Sequence, residues 1–154
     1  MVKVYHKFTI ETPASKVYPL LISIEGLKKW WMKDARGKPE MPGGEIEFGD
    51  KSSYYNKVKV ISTQENKKVV WKVLESVGAY PEAKLWNSTT IEFELEEKQL
   101  ARLGGKTATV VLFKHDGWPK ESEDTKPLAE ANFYWAYSLI GLKNVSEGKT
   151  GTPM

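Results

Sequence analysis

Residues 88 to 97 alternate more strictly than any other part of the chain: Ile91, Phe93 and Leu95 share one parity, Glu92, Glu94 and Glu96 the other. Successive side chains of a strand point to opposite faces, so this segment reads as a strand with one apolar and one charged face. Other segments repeat the pattern. Lys3 to Glu11 sets Val4, His6, Phe8 and Ile10 against Lys3, Lys7 and Glu11, and Glu45 to Phe48 alternates. Asn56 to Ser62 sets Val58 and Val60 against Lys57 and Lys59; Val69, Trp71 and Val73 share a face opposite Lys72; Lys106 to His115 is the last strand. From residue 45 these strands follow one another across turns such as Glu65 to Lys68 and Gly104-Gly105. Strands joined by tight turns pair antiparallel, because parallel neighbours need a long crossover. The result is a meander with one oily face, and that face must be covered.

Leu128 to Glu147 can cover it. Leu128, Ala131, Trp135, Leu139 and Leu142 recur at three- and four-residue spacing and form one stripe of a helix, with Gly148 as its stop. A helix of about 20 residues is roughly 30 Å long, enough to cross a small sheet. Between the first strand and the meander, Thr12-Pro13 reads as a helix start with a hydroxyl cap and Pro in the first turn. Val17, Leu20, Leu21 and Ile24 keep helical spacing, but Pro19 lacks the N–H an interior position needs, which predicts a short or distorted helix. A second short helix follows at Glu25 to Trp30, with Gly26 marking the break. Residues 33–44, with Pro39, Pro42, Gly43 and Gly44, read as a loop. The expectation is an α+β fold: one domain over residues 1–148 and an exposed tail, Lys149 to Met154.

Composition narrows the function classes. The chain has 154 residues, enough for one domain with a real core, and no cysteine, which excludes disulfides, thiolate metal sites and thiol nucleophiles. The net charge is only +3 and the lysines are scattered among acids, so no concentrated basic face offers itself to nucleic acid. No apolar run approaches the ~20 residues of a membrane span, and the first residues hold no apolar signal segment, so a cytoplasmic location is expected. Six Trp, seven Tyr and five Phe are the notable excess. Trp and Tyr suit a pocket wall because each combines a large apolar body with a polar handle.

Parity places Val58, Trp71, Val73, Ile91 and Phe93 on the inner face, with Trp135 and Leu139 on the helical stripe above them. Trp30, Tyr54, Trp86, Phe113 and Trp118 flank loops or strand ends where a mouth could form. These twelve residues are the expected wall of a ligand cavity between sheet and helix; the competing reading is that they fill the interior completely. Glu75 to Lys84, with Gly78 and Pro81, reads equally as a mouth loop or as an ordinary hairpin connection. No catalytic residue is assigned; His6, His115 and Asp116 are the nominees an enzyme in this cavity would need. His115 precedes Asp116, but neighbours on a strand point to opposite faces, and nothing selects a serine to complete a triad. His6, on an apolar face, reads as a core histidine. Arg36 could meet an anionic ligand group, though a surface role is simpler. The Glu92, Glu94 and Glu96 row reads as a solvated face rather than a metal site, and Gly43-Gly44 and Gly104-Gly105 lack the following helix of a phosphate loop. Neither cofactor nor metal is expected.

Val17 to Leu21, Gly26-Leu27-Lys28-Lys29-Trp30-Trp31, the Gly43-Gly44 pair, Trp86 before Thr89 to Leu95, and Thr107 to Phe113 before His115-Asp116-Gly117-Trp118 occur in a familiar order. Asn132-Phe133-Tyr134-Trp135, Leu139, Leu142-Lys143, Glu147-Gly148 and Pro153 complete it. Together they resemble the family of the activator of the heat-shock-protein-90 ATPase, within the START-like (SRPBCC) superfamily. The resemblance implies a helix-grip fold and a hydrophobic, aromatic or lipid-like small molecule bound between the sheet and the last helix, for transport or sensing. A cyclase- or hydrolase-like enzyme in the same cavity is one alternative. A chaperone-associated interaction module is the other, less favoured because the chain lacks the separate N-terminal domain of the eukaryotic co-chaperone.

Overall fold

The computed structural model describes residues 2–78 and 81–154. Strand β1 (Val2–Ile10) leads into a single helical turn, α1 (Ala14–Val17), which tightens to 3₁₀ geometry over Tyr18–Leu20 where Pro19 removes a donor. Helix α2 (Ile24–Trp30) follows, then β2 (Arg36–Gly37), β3 (Glu45–Asp50), β4 (Tyr54–Gln64) and β5 (Lys68–Val77). A 3₁₀ segment, Pro81–Trp86, connects to β6 (Thr90–Leu100) and β7 (Lys106–Trp118), and α3 (Lys126–Ser146) closes the fold. Among the described residues the seven strands form one sheet in the order β1-β7-β6-β5-β4-β3-β2, every pair antiparallel. The register slips between Lys57 and Val58 and again between Val60 and Ser62, and such bulges bend a strand. The curved sheet wraps around α3, whose Ala131, Trp135, Leu139 and Leu142 are buried, and Gly148 ends it with φ 85°. This is the helix-grip arrangement.

Three local expectations need correction. Thr12 does not cap α1; its carbonyl instead accepts a hydrogen bond from Thr109 Oγ1, and the free Ala14 N–H is taken by the Glu97 carboxylate from β6 at 2.8 Å. A long-range partner has replaced the local one, which periodicity cannot register. Gly26 is not the break between the short helices. Ser23 caps α2 by accepting from the Gly26 N–H at 3.0 Å, and Gly26 lies inside the first turn, where a Cβ would stand 2.6 Å from Leu20 Cα. Residues 33–44 are not wholly loop, since Arg36–Gly37 pairs with β3. The tail, Lys149 to Met154, is exposed or half-buried, and hydrogen bonds tie it to the domain. Met154 donates to the Trp31 carbonyl (3.0 Å), its own carbonyl accepts from Lys33 (2.7 Å), and Tyr137 donates to Thr152 Oγ1 (3.1 Å).

The last turn of α3 is tied to β1 in a similar way: Lys143 Nζ reaches the Thr9 carbonyl at 3.0 Å and pairs with Glu147, which accepts from the Glu11 N–H at 2.8 Å. Gly141 lets α3 pass close to α2, because a Cβ there would meet the Trp30 carbonyl oxygen at 3.0 Å. The tighter approach at Gly26 gives a test of sign. Alanine should gain about 1 kcal/mol in a helix, yet overpacking against backbone costs about 1–3 kcal/mol. Gly26→Ala is therefore expected to lower unfolding free energy in urea titrations, and a rise would show that α2 does not press on Leu20.

Candidate ligand-binding site

The middle of the sandwich is packed with rings. Trp31 lies between Trp71, stacked at 5.2 Å, and Trp135, stacked at 5.6 Å, with Phe48 edge-on at 4.7 Å. Phe93 meets Trp71 edge-on at 5.1 Å and Trp30 at 6.1 Å, and Phe113 tilts against Trp135 at 4.6 Å. Trp30, Val58, Trp71, Val73, Ile91, Phe93, Phe113, Trp118, Trp135 and Leu139 are all 3% exposed or less. These ten were expected to wall a cavity beneath the centre of α3; they pack as core, and their own bulk takes up the room. Trp31, absent from the expected set, is the ring that fills the gap. Its position directly after Trp30 at a helix end was the available signal.

Open space survives at one end of the sandwich, where the rings stop. A pocket of about 350 Å³ lies between the first half of α3 and the adjoining ends of β4 and β5. Tyr54 and Asn56 on β4, Ser76 on β5, Trp86, and Ala131 and Tyr134 on α3 form its principal walls. Tyr54 and Trp86 are the two expected wall residues that reach it. Of the expected mouth segment Glu75 to Lys84, Ser76, Gly78 and Ala83 line the pocket, while Ala79 and Tyr80 lie outside the described residues. The Tyr134 hydroxyl accepts from Trp31 Nε1 at 2.7 Å, and burial pushes its pKa well above that of an ordinary phenol, so it stays protonated. No lysine or arginine lines the space among the described residues.

The profile of the family described as "Activator of Hsp90 ATPase homolog 1-like protein" matches residues 11–147. The chain belongs to this family. Among solved structures it is similar to the Aha1 dimer of Colwellia psychrerythraea, with 33% identity, a TM-score of 0.73, and 96% of this chain and 97% of that one covered. Protein SSP2350 of Staphylococcus saprophyticus (16% identity, TM-score 0.70, 99% and 98% covered) and MLL2253 of Mesorhizobium loti (14%, 0.71, 92% and 94%) share the fold. No curated protein matches the sequence.

In this family member the nominated catalytic groups do not converge on the pocket. His115 is 0% exposed and caged by Trp86, Trp118 and Trp135. Its Nδ1 accepts from Trp135 Nε1 at 3.0 Å, a group that can only donate. The proton therefore sits on Nε2, which donates to Thr89 Oγ1 at 2.7 Å, and the Thr89 hydroxyl donates on to the Trp86 carbonyl. This chain holds a neutral imidazole with no free face. Asp116 points the other way and accepts from the Gly117 N–H. His6 rests against Phe113 at 6.2 Å, away from the pocket walls. Arg36 is turned to the backbone carbonyls of Gly49 (3.0 Å) and Asp34 (3.4 Å), so it holds the β2–β3 edge rather than a ligand. Glu92 pairs with Lys68 and Lys114 on the flanking strands, and no group of three or more metal-ligating side chains is found among the described residues.

Burial lowers the His115 pKa from 6.5 to about 3. The unfolded chain therefore takes up this proton first. The stabilisation is complete above pH 6.5 and is lost as pH falls toward 3, at a slope approaching about 1.4 kcal/mol per pH unit. The His115 ring carbons should show no NMR titration between pH 7.5 and 4.5, whereas a titration midpoint near 6 would mean the cage is open. Trp135→Phe keeps the ring but leaves Nδ1 unpaired in the core. It should cost roughly 1–3 kcal/mol by denaturant unfolding.

Proposed function

We propose that this chain is a binding protein for a compact, largely apolar aromatic molecule held in the pocket bounded by Tyr54, Trp86 and Tyr134. The observation that supports the reading is a half-open pocket of about 350 Å³ walled by three aromatic side chains and α3, next to a core of buried rings. Ligand sites run from about 300 to 1,000 Å³, so this one suits two or three fused rings better than a long acyl chain. Apolar walls with a few polar groups support micromolar affinity. The engagement of His115 and the orientation of Asp116 weigh against the cyclase- or hydrolase-like alternative, and transport or sensing fits a site that holds without reacting.

Calorimetric titration with 2-naphthol, a flavanone and palmitate tests this. The ring compounds should bind below about 100 μM and palmitate should not. Ala131→Phe, which places a ring in the pocket, should weaken the ring compounds at least tenfold. Absence of any ring-compound binding, or binding untouched by Ala131→Phe, would sink the reading.

A second observation favours self-association. Phe133 (75% exposed), Tyr137 (43%) and Ile140 (60%) form one row on the outer face of α3, with Met154 (42%) beside it. Residues three and four apart on a helix are neighbours, so the row is a continuous apolar surface. The Colwellia relative is described as a dimer. A second copy of this chain, related by a two-fold axis, is the occupant proposed for this row. Sedimentation velocity should return a dimer at tens of micromolar and a monomer for Phe133→Glu/Ile140→Lys. A wild-type monomer at those concentrations would leave the row to a chaperone-type partner.

A further inference from the structure

Strand β1 is an end strand: it pairs with β7 alone, so along its other side every second residue turns its backbone groups away from the sheet. Helix α3 already takes two of those groups. The Thr9 carbonyl accepts from Lys143 Nζ at 3.0 Å and the Glu11 N–H donates to Glu147 at 2.8 Å, which marks the odd-numbered residues as the outward set. Lys3, Tyr5 and Lys7 belong to that set, and among the described residues no hydrogen bond from α3 reaches their backbone. Here the helix stands off from the edge. A groove of about 450 Å³ separates Lys3, Val4 and Tyr5 from Leu128, Ala129 and Asn132. An extended segment laid along this edge would continue both faces of the sheet: its outer row would stand beside exposed Lys3, Tyr5 and Lys7, its inner row beside Val4 and the half-buried His6 and Phe8. Neither Lys3 nor Lys7 is held in an ion pair among the described residues. A second copy of β1 fits badly, because an antiparallel pair centred on Tyr5 sets lysine against lysine at both ends. The same two cations favour carboxylates spaced four residues apart. Lys3 has Asp116 opposite it on β7 and Asp124 in the groove, whereas Lys7 faces Leu112, so Lys7 carries more of the charge selection.

We infer that the free half of β1 is a docking edge for an extended acidic peptide segment of a partner protein, which adds a further strand with carboxylates opposite Lys3 and Lys7 and apolar side chains turned into the groove. Backbone hydrogen bonds to Lys3, Tyr5 and Lys7 supply the affinity of such strand addition, and the alternating side chains supply the choice of partner. The inference is independent of the aromatic pocket, which lies elsewhere on α3.

Full-length protein is titrated with the peptide Ac-Ser-Glu-Val-Thr-Val-Glu-Ser-amide and with its counterpart carrying lysine in place of glutamate, followed by NMR with hydrogen exchange at single amides. The acidic peptide should bind below about 1 mM and the basic one about tenfold more weakly. In the free protein the Tyr5 and Lys7 amides should exchange fast, while those of His6 and Phe8, turned toward β7, exchange slowly. Saturation with the acidic peptide should slow Tyr5 and Lys7 about tenfold. Lys3→Glu/Lys7→Glu should reverse the preference between the peptides. Binding without protection of the Tyr5 and Lys7 amides overturns the inference, and so does a preference unchanged in the double variant. Absence of any binding by the acidic peptide also overturns it, and leaves the lysines as guards that keep the edge unpaired.

Discussion

The stacking of Trp31 between Trp71 and Trp135 sets the spacing on which the rest of the molecule depends. One ring comes from just past the end of α2, one from β5 and one from α3, so three elements distant in sequence are held at the thickness of a tryptophan stack. An aromatic side chain buries 150–250 Å² and prefers offset or edge-on neighbours, which gives such a cluster both adhesion and geometry. Once Trp31 is seated, α3 can neither approach the sheet nor slide along it without breaking several ring contacts. The centre is thereby filled by stacked and edge-on rings. The pocket described above lies beyond these rings, at the Tyr54–Trp86–Tyr134 end.

Polar handles fix the orientation of four of the indole rings as well as their depth. The indole N–H groups of Trp30, Trp31, Trp118 and Trp135 go respectively to the Leu20 carbonyl, the Tyr134 hydroxyl, the His115 carbonyl and His115 Nδ1. His115 is therefore structural: it gives two indoles their acceptors and anchors the Thr89–Trp86 turn beside the pocket. A histidine able to accept from Trp135 only when neutral is poorly suited to proton transfer, because a second proton on Nδ1 would face another donor. The same bonds that occupy both ring nitrogens of this residue anchor Trp86 in the pocket wall.

What the amino-acid sequence disclosed follows from what its signals measure. Strand parity reports which face a side chain takes, so Val58, Trp71, Ile91 and Phe93 were all correctly assigned inward. Parity does not report position along the sheet or how much volume neighbours contribute, so a row of inward rings looked like a cavity wall when it was core. The Glu97 cap on α1 and the Trp31–Met154 clasp were illegible for a related reason: both join segments far apart in the chain. Asn56 was not singled out, although it shares parity with Val58 and Val60. Tyr134, adjacent to Trp135 but off the helical stripe, could be placed only once α3 was seated.

The pocket and the outer row of α3 are not independent surfaces. Glu130 and Tyr134 border both, one side of each facing Trp86 and Asn56, the other facing Phe133 and Tyr137. A ligand that holds Tyr134 in one position therefore acts on the edge of the face proposed for a second copy. Coupling of this kind is reciprocal, since any factor by which the ligand strengthens association is the factor by which association strengthens the ligand. Helix α3, which carries both Glu130 and Tyr134, is the physical connection available to carry it. A protein that both holds a small aromatic molecule and changes its assembly on doing so would be a sensor rather than a carrier, and the distinction turns on whether Tyr134 moves.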